Sequence, residues 1–315
     1  MRSIETEERV LITGGTGSLG VRLVEELSGQ CKSVRVFSRD EKKQYDLRQR
    51  FPHVDFRLGD MRDYCAVWHA VQGVDVVIHA ASLKYVDISE QQPSEYVQTN
   101  VVGTMNLLEA IQQTKTVRRC VGISSDKVVH PVNTYGLTKA LLEKLFLEAA
   151  RRGNCDTIFT VARYGNVLGT RGSVIPFWRE TRLLHVPLPI TDPEMTRFFF
   201  TLAEAVDLID FALIQDAGVI VSKAMAAATL GDVANAMQTA GTIIVGRRPG
   251  EKIHEELLSE EEMTRTLETG DFFLYRPDLP PGPPAQAYTS EHAPRLTGDA
   301  LKKFLIEAHA IEPSA

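Results

Sequence analysis

The feature that most constrains this chain is a glycine-rich turn close to its start. Leu11-Ile-Thr13-Gly14-Gly15-Thr16-Gly17-Ser18-Leu19-Gly20 joins a β-branched run, Arg9–Thr13, to an amphipathic stretch, Ser18–Leu27. Glycines at 14, 17 and 20 allow a tight turn, close approach of a pyrophosphate and close packing of helix on strand. The free amides at the start of the helix then point at the phosphates. This strand–turn–helix context predicts dinucleotide binding by Thr13, Gly14, Gly17, Ser18 and Gly20.

The pattern that follows fits a fold built around such a turn. Short apolar runs at Ser33–Phe37, Val54–Leu58, Val74–His79, Arg118–Ile123 and Thr157–Arg163 alternate with helical periodicity at Glu41–Arg50, Tyr64–Val71, Ser94–Thr114 and Tyr135–Arg151. Six strands with helices between them predict an α/β fold, a doubly wound parallel Rossmann sheet. Past residue 165 the pattern loosens. Thr201-Leu-Ala-Glu204 reads as a capping box before Ala205–Ile214. Short elements are expected at Val219–Val221, Leu230–Met237 and Thr242–Val245, with a last helix over Gly298–His309. Pro277–Pro284 is expected to be a surface linker, since its prolines cannot continue a helix or central strand. The expected organisation is a cofactor-binding domain over 1–165 and a smaller α/β substrate-binding lobe over 166–315.

With 315 residues and a net charge of −6, the chain has no basic face for nucleic acid. No run approaches the roughly 18 apolar residues of a membrane span. Its four cysteines lack metal-ligand spacing, so no metal is expected and the thiols are expected to be reduced and buried. A cytoplasmic enzyme is the expectation.

Cofactor choice is read at the end of the second strand. An NAD site places an acidic residue there, whereas this chain has Phe37-Ser38-Arg39-Asp40 followed by Lys42. Ser38, Arg39 and Lys42 therefore predict a 2′-phosphate and NADP. Asp60 and Met61, after the third strand, are placed to meet the adenine, and Ala80 and Ala81 follow the fourth. Tyr135 and Lys139 fall one helical turn apart on one face, where an ammonium is expected to lower the phenol's pKa. Ser124-Ser125-Asp126-Lys127 ends the strand just before that helix.

These motifs together resemble the inverting UDP-N-acetylglucosamine 4,6-dehydratases of the extended short-chain dehydrogenase/reductase superfamily. The resemblance rests on SRDEKKQ (38–44), GDMRD (59–63), HAASLKYVDISEQQP (79–93), SSDKVVHPVNTYGLTK (124–139), RYGNVLGTRGSVIPFW (163–178), ITDPEMTRFFFTLAEAV (190–206) and GRRPGEKIHE (246–255). It departs from the family pattern at Ser82, Tyr85, Ser125 and Thr134. The resemblance implies a nucleotide-sugar substrate, oxidation at C4 by Tyr135 and Lys139, and elimination of water by Asp126 as acid and Lys127 as base. That role requires Lys127 to be neutral part of the time. It further implies that Lys84, Ser125, Asn133, Asn166, Arg197, Arg248 and Glu251 hold the substrate, and that the protein is a homo-oligomer. A plain epimerase has no need of the Asp126–Lys127 pair, and retaining dehydratases typically carry Asp-Glu there.

Overall fold

The computed structural model describes residues 1–153, 155–170, 174–237, 241–307 and 311. Six strands, β1 (Arg9–Thr13), β2 (Ser33–Ser38), β3 (Asp55–Leu58), β4 (Val76–His79), β5 (Arg119–Ile123) and β6 (Ile158–Ala162), run parallel in the order 3-2-1-4-5-6. The inner strands are apolar along nearly their whole length because helices cover both faces. All four residues of β4 are buried. One core lies on each face of the sheet. Helices α1 (Ser18–Leu27), α2 (Glu41–Arg50) and α3 (Tyr64–Val71) follow the first three strands.

The expected helix over Ser94–Thr114 is instead broken into segments. After α4 (Val86–Gln91) come α5 (Pro93–Tyr96), a π-helical stretch over Val97–Val102 and α6 (Gly103–Thr114). The widened turns carry the buried Asn100, whose side chain accepts from the Leu83 amide at 2.8 Å. Its amide nitrogen donates to the Leu83 carbonyl at 3.0 Å and to Thr138 Oγ1 at 3.1 Å. A local side-chain anchor of this kind is what hydrophobic periodicity does not register. α7 (Thr134–Arg152) follows β5, capped by Asn133, whose Oδ1 accepts from the Gly136 amide at 2.7 Å.

The second half does not stand apart from the sheet. Ile220–Lys223 extends it parallel to β6, and Phe272–Tyr275 and Thr266–Thr269 continue it antiparallel, giving nine strands. A three-stranded sheet of Asn166–Val167, Thr196–Phe200 and Ala227–Thr229 packs with a smaller third core. The Thr201 capping box is formed in both directions and opens the helix Leu202–Leu213. Pro277–Pro284 is irregular surface chain. The final helix is Gly298–Glu307, with 308 and 309 of the expected element outside the described residues. All four cysteines are free, but only Cys120 is buried, and Cys65 is exposed near the start of α3. The expectation of four buried thiols is corrected accordingly. Among the described residues, no helix is long and apolar enough to cross a membrane.

Candidate active site

Strand order reverses between β1 and β4, and the crevice outside their carboxyl ends is where such sheets bind ligands. A cavity of about 640 Å³ opens there, within the range of small-molecule sites. Gly14, Gly17, Ser18 and Gly20 line one end together with Ala80 and Ala81. Gly14 has φ +69°, and a Cβ on it would lie 2.8 Å from the Ala81 Cα, so no side chain fits between the two loops. Thr13 sits beneath the cavity rather than in its wall. Its hydroxyl meets His79 Nδ1 at 2.8 Å and accepts from the Ala81 amide at 3.3 Å. His79 also meets Thr104 at 3.0 Å. Burial, helped by the charge of Lys139, brings its pKa down to about 3, so it is a neutral packing residue.

Ser38, Arg39, Asp60 and Met61 line the far end of the cavity. The Arg39 guanidinium stands 3.7 Å from Asp60. The lysine that reaches this end is Lys43, which also pairs with the helix cap Asp40. Lys42 pairs with Asp46 along α2 and does not line the cavity. One helical position is a rotation of about 100°, enough to exchange the two lysines.

At the centre, Tyr135 and Lys139 project from the first turns of α7 opposite Ser124, Ser125 and Lys127, all in the cavity wall. Asp126 and Lys127 lie on a single 3-10 turn, Asp126–Val128, just beyond β5. Gly136 makes that turn's position possible: a Cβ there would lie 2.3 Å from the Lys127 carbonyl oxygen. Lys127 Nζ is 3.0 Å from Asp126 Oδ1 and 3.2 Å from Glu255 Oε1. Ser125 Oγ donates to Asp126 Oδ1 at 3.0 Å and hydrogen-bonds the Tyr135 phenol.

The charges differ from the expectation in two ways. Burial pushes the Lys127 pKa down, but Asp126 and Glu255 together outweigh it and hold the ammonium above its ordinary value. Lys127 is thus charged in this state, not neutral, because two carboxylates flank it. Tyr135 is likewise raised: burial outweighs the Ser125 hydrogen bond and the Lys127 charge that oppose it. Lys139 is the readily titrated amine, with burial bringing it to about 7 against the opposing charge of Glu143. Asp126 is raised by burial, with the charge of Glu255 adding to it, while Lys127 holds it back. Glu255 is lowered, since Lys127, Arg197 and Lys252 together overcome the cost of its burial. The site therefore sets a carboxyl raised by burial beside one lowered by its cationic neighbours.

Residues 10–277 match the family described as "Polysaccharide biosynthesis protein". The chain belongs to this family. The chain is 38% identical to a UDP-glucose 4-epimerase of Rickettsia canadensis (strain McKiel), over 97% of both chains. It superposes on the X-ray structure of Pen from Bacillus thuringiensis with a TM-score of 0.92 and 32% identity, covering 97% of this chain and 99% of that one. It shares its fold with DesIV, a dTDP-glucose 4,6-dehydratase from Streptomyces venezuelae solved with NAD and TYD bound. There the TM-score is 0.71 at 23% identity, over 78% of this chain and 86% of that one.

Among the expected substrate residues, Lys84, Ser125 and Asn166 line the cavity, and Asn166 Oδ1 is buried with no hydrogen-bond partner. Asn133, Arg197, Arg248 and Glu251 do not line it. Arg197 gives its guanidinium to the carbonyls of Thr196, Lys252 and Ile253 at 2.7–3.1 Å. Arg248 is exposed on a turn where its amide donates to Glu251, and Asn133 Nδ2 donates to Gly250 of that turn at 2.8 Å. The sequence placed Lys43 beside Lys42 without choosing it, and sequence reasoning missed Thr99 and Tyr164 in the wall, and Glu143 and Glu255 behind it. The spacing of Tyr135, Lys139 and Glu143 at successive turns was a usable signal for Glu143. Glu255, distant in sequence, offered none.

Proposed function

We propose that this protein catalyses NADP-dependent dehydration of a UDP-sugar, UDP-N-acetylglucosamine first, to a 4-keto-6-deoxy sugar nucleotide with C5 inverted. The observation that carries this reading is the Asp126–Lys127 pair, Nζ 3.0 Å from Oδ1, with Lys127 in the cavity wall and Asp126 fully buried directly behind it rather than in the lining. Elimination across C5–C6 needs an acid and a base side by side, whereas epimerisation at C4 needs neither.

In this reading residues 1–165 hold the cofactor and 166–315 supply the sugar-nucleotide lobe. The Gly14 cradle, Gly17, Ser18 and Gly20 receive the diphosphate, Arg39 with Ser38 and Lys43 the 2′-phosphate, and Asp60 and Met61 the adenine. Arg39 beside an open pocket end supports the phosphorylated cofactor. A nicotinamide cofactor held by these residues would supply the hydride acceptor for oxidation at C4 and the hydride donor for C6. Tyr135 takes the C4 hydroxyl proton as its phenolate, with Lys139 one turn further along α7, and the proton that it sheds beforehand leaves to solvent. The 4-ketone acidifies C5–H, because the carbanion becomes an enolate. Asp126, in its acid form, gives its proton to the departing C6 hydroxyl, and Lys127 accepts the C5 proton once its own has been shed; after hydride returns to C6, a solvent-derived proton reaches C5 on the opposite face, which inverts it. Lys84, Ser125 and Asn166, which line the cavity, contact the sugar and diphosphate.

A second reading, C4 epimerisation of UDP-glucose, is favoured by the name of the 38%-identical relative. Incubation with each sugar nucleotide in heavy water, followed by mass spectrometry and NMR, separates them. Loss of one water with deuterium at C5 is expected from UDP-N-acetylglucosamine. A C4 epimer of unchanged mass from UDP-glucose would instead establish the epimerase.

A further inference from the structure

Glu255 has no place in the reaction as set out above, yet it faces the side chain that must lose its proton before elimination can proceed. We propose that Glu255 is a positioning residue that takes the Lys127 ammonium proton, freeing the amine to act as base while Asp126 keeps its own proton as acid. The inference rests on the dehydratase reading.

The geometry supports this relay. Glu255 Oε1 is 3.2 Å from Lys127 Nζ and 3.7 Å from Arg197 Nε, while its other oxygen, Oε2, is buried with no hydrogen-bond partner. Its backbone is clamped on both sides: its amide donates to Ser290 Oγ at 2.8 Å, and its carbonyl accepts from the Ser290 amide at 2.8 Å. Glu255, like Asp126, does not line the cavity, and the cavity-lining group it touches is Lys127, through which it acts. The charged and titratable groups facing this pair are Asp126, Tyr135, Arg197 and Lys252. With only Asp126 beside it, Lys127 has one proton acceptor, and using it would leave a single proton between acid and base. Glu255 supplies the second.

The protons balance. In the proposed cycle the resting set is Asp126–COOH, as the acid role requires, with Lys127–NH3+ and Glu255–COO−. Transfer from Lys127 to Glu255 gives two carboxylic acids and a neutral amine. Lys127 then takes the C5 proton, Asp126 gives its proton to the C6 hydroxyl, and the C6–O bond breaks to release water. Glu255–COOH is left opposite Asp126–COO−, and its proton returns through Lys127 to restore the resting state.

The test compares Glu255→Gln and Glu255→Asp with the wild type, following C5 deuterium exchange and C4 ketone formation separately, and the pH titration of Lys127 by NMR of isotope-labelled lysine. Glu255→Gln should slow exchange at C5 by roughly a hundredfold, within the range of general acid–base contributions, and far more than it slows C4 oxidation. The Lys127 midpoint should fall by about one to three pH units as an opposing charge is removed. Glu255→Asp should recover part of the exchange rate. Unchanged C5 exchange in Glu255→Gln, equal loss at both steps, or no recovery by Asp would overturn the relay. Wild-type protein that epimerises at C4 without C5 exchange would overturn the dehydratase reading itself, whatever the variants do.

Discussion

Arg163 grips Glu143 through two hydrogen bonds, Nε to Oε1 at 2.9 Å and Nη2 to Oε2 at 2.7 Å, with the guanidinium almost wholly out of water. The same guanidinium holds Glu262 through two more, both at 2.8 Å, and the Leu257 carbonyl at 2.8 Å. Glu143 is one turn beyond Lys139 on α7 and accepts from Ser124 Oγ at 2.6 Å. Glu262 caps the short helix Glu260–Met263 in the chain's second half. One arginine thus ties the catalytic helix to the segment that follows Glu255.

Arg163→Leu should therefore be among the most damaging single changes. It leaves two carboxylates buried without their cation, a loss of about 3–5 kcal/mol for a broken buried pair. Urea unfolding measures this; a loss below about 1 kcal/mol would mean that the two glutamates find other partners.

Gly136→Ala tests the packing of the Asp126–Lys127 turn on α7. The added Cβ meets the Lys127 carbonyl oxygen at 2.3 Å, and backbone rather than a flexible side chain must yield. Overpacking of this kind costs about 1–3 kcal/mol. Because the displaced residue is Lys127, C5 exchange should fall by more than the stability loss alone explains. Wild-type exchange in a folded Gly136→Ala protein would show that the turn's position is not critical.

Much of this was legible in the sequence, for identifiable reasons. The parallel sheet could be read because its buried strands are short β-branched runs, and the glycine turn because only glycine tolerates the Gly14 backbone beside Ala81. Tyr135, Lys139, Ser125 and Lys127 could be placed in one site because they flank one strand end and one helix start. What could not be read depends on distant contacts. The π-helical break follows from Asn100 reaching Leu83 and Thr138, and the protonation of Lys127 from Glu255, more than a hundred residues away. Lys42 and Lys43 differ by one position on α2, and only the helix's rotation decides between them. Strands 220–223 and 266–275 join the main sheet by pairing that no local pattern encodes.

Arg39→Ala should weaken NADP far more than NAD. Arg39 lines the cavity end beyond Ser38, with Asp60 3.7 Å away as its counter-charge. A charge-assisted hydrogen bond to the 2′-phosphate contributes about 1.5–3 kcal/mol, roughly ten- to a hundredfold in affinity. Titration calorimetry with both cofactors measures the difference. Equal weakening would reduce Arg39 to a partner of Asp60.

Lys139 gives the ligand-free protein a pH-dependent stability whose sign follows from its environment. Burial brings its folded pKa to about 7, against an ordinary value of 10.5. Between those values the unfolded chain carries a proton that the folded protein has shed, so stability rises with pH across that window. Below about pH 7 both states are protonated, and the folded state bears the full cost of a buried ammonium. Lys139→Met has nothing to titrate at this position. The stability of wild type relative to Lys139→Met should thus be flat below about pH 7 and climb towards pH 10, measured by urea unfolding at each pH. A difference that does not change with pH would mean that Lys139 remains charged throughout, with Glu143 compensating its burial completely.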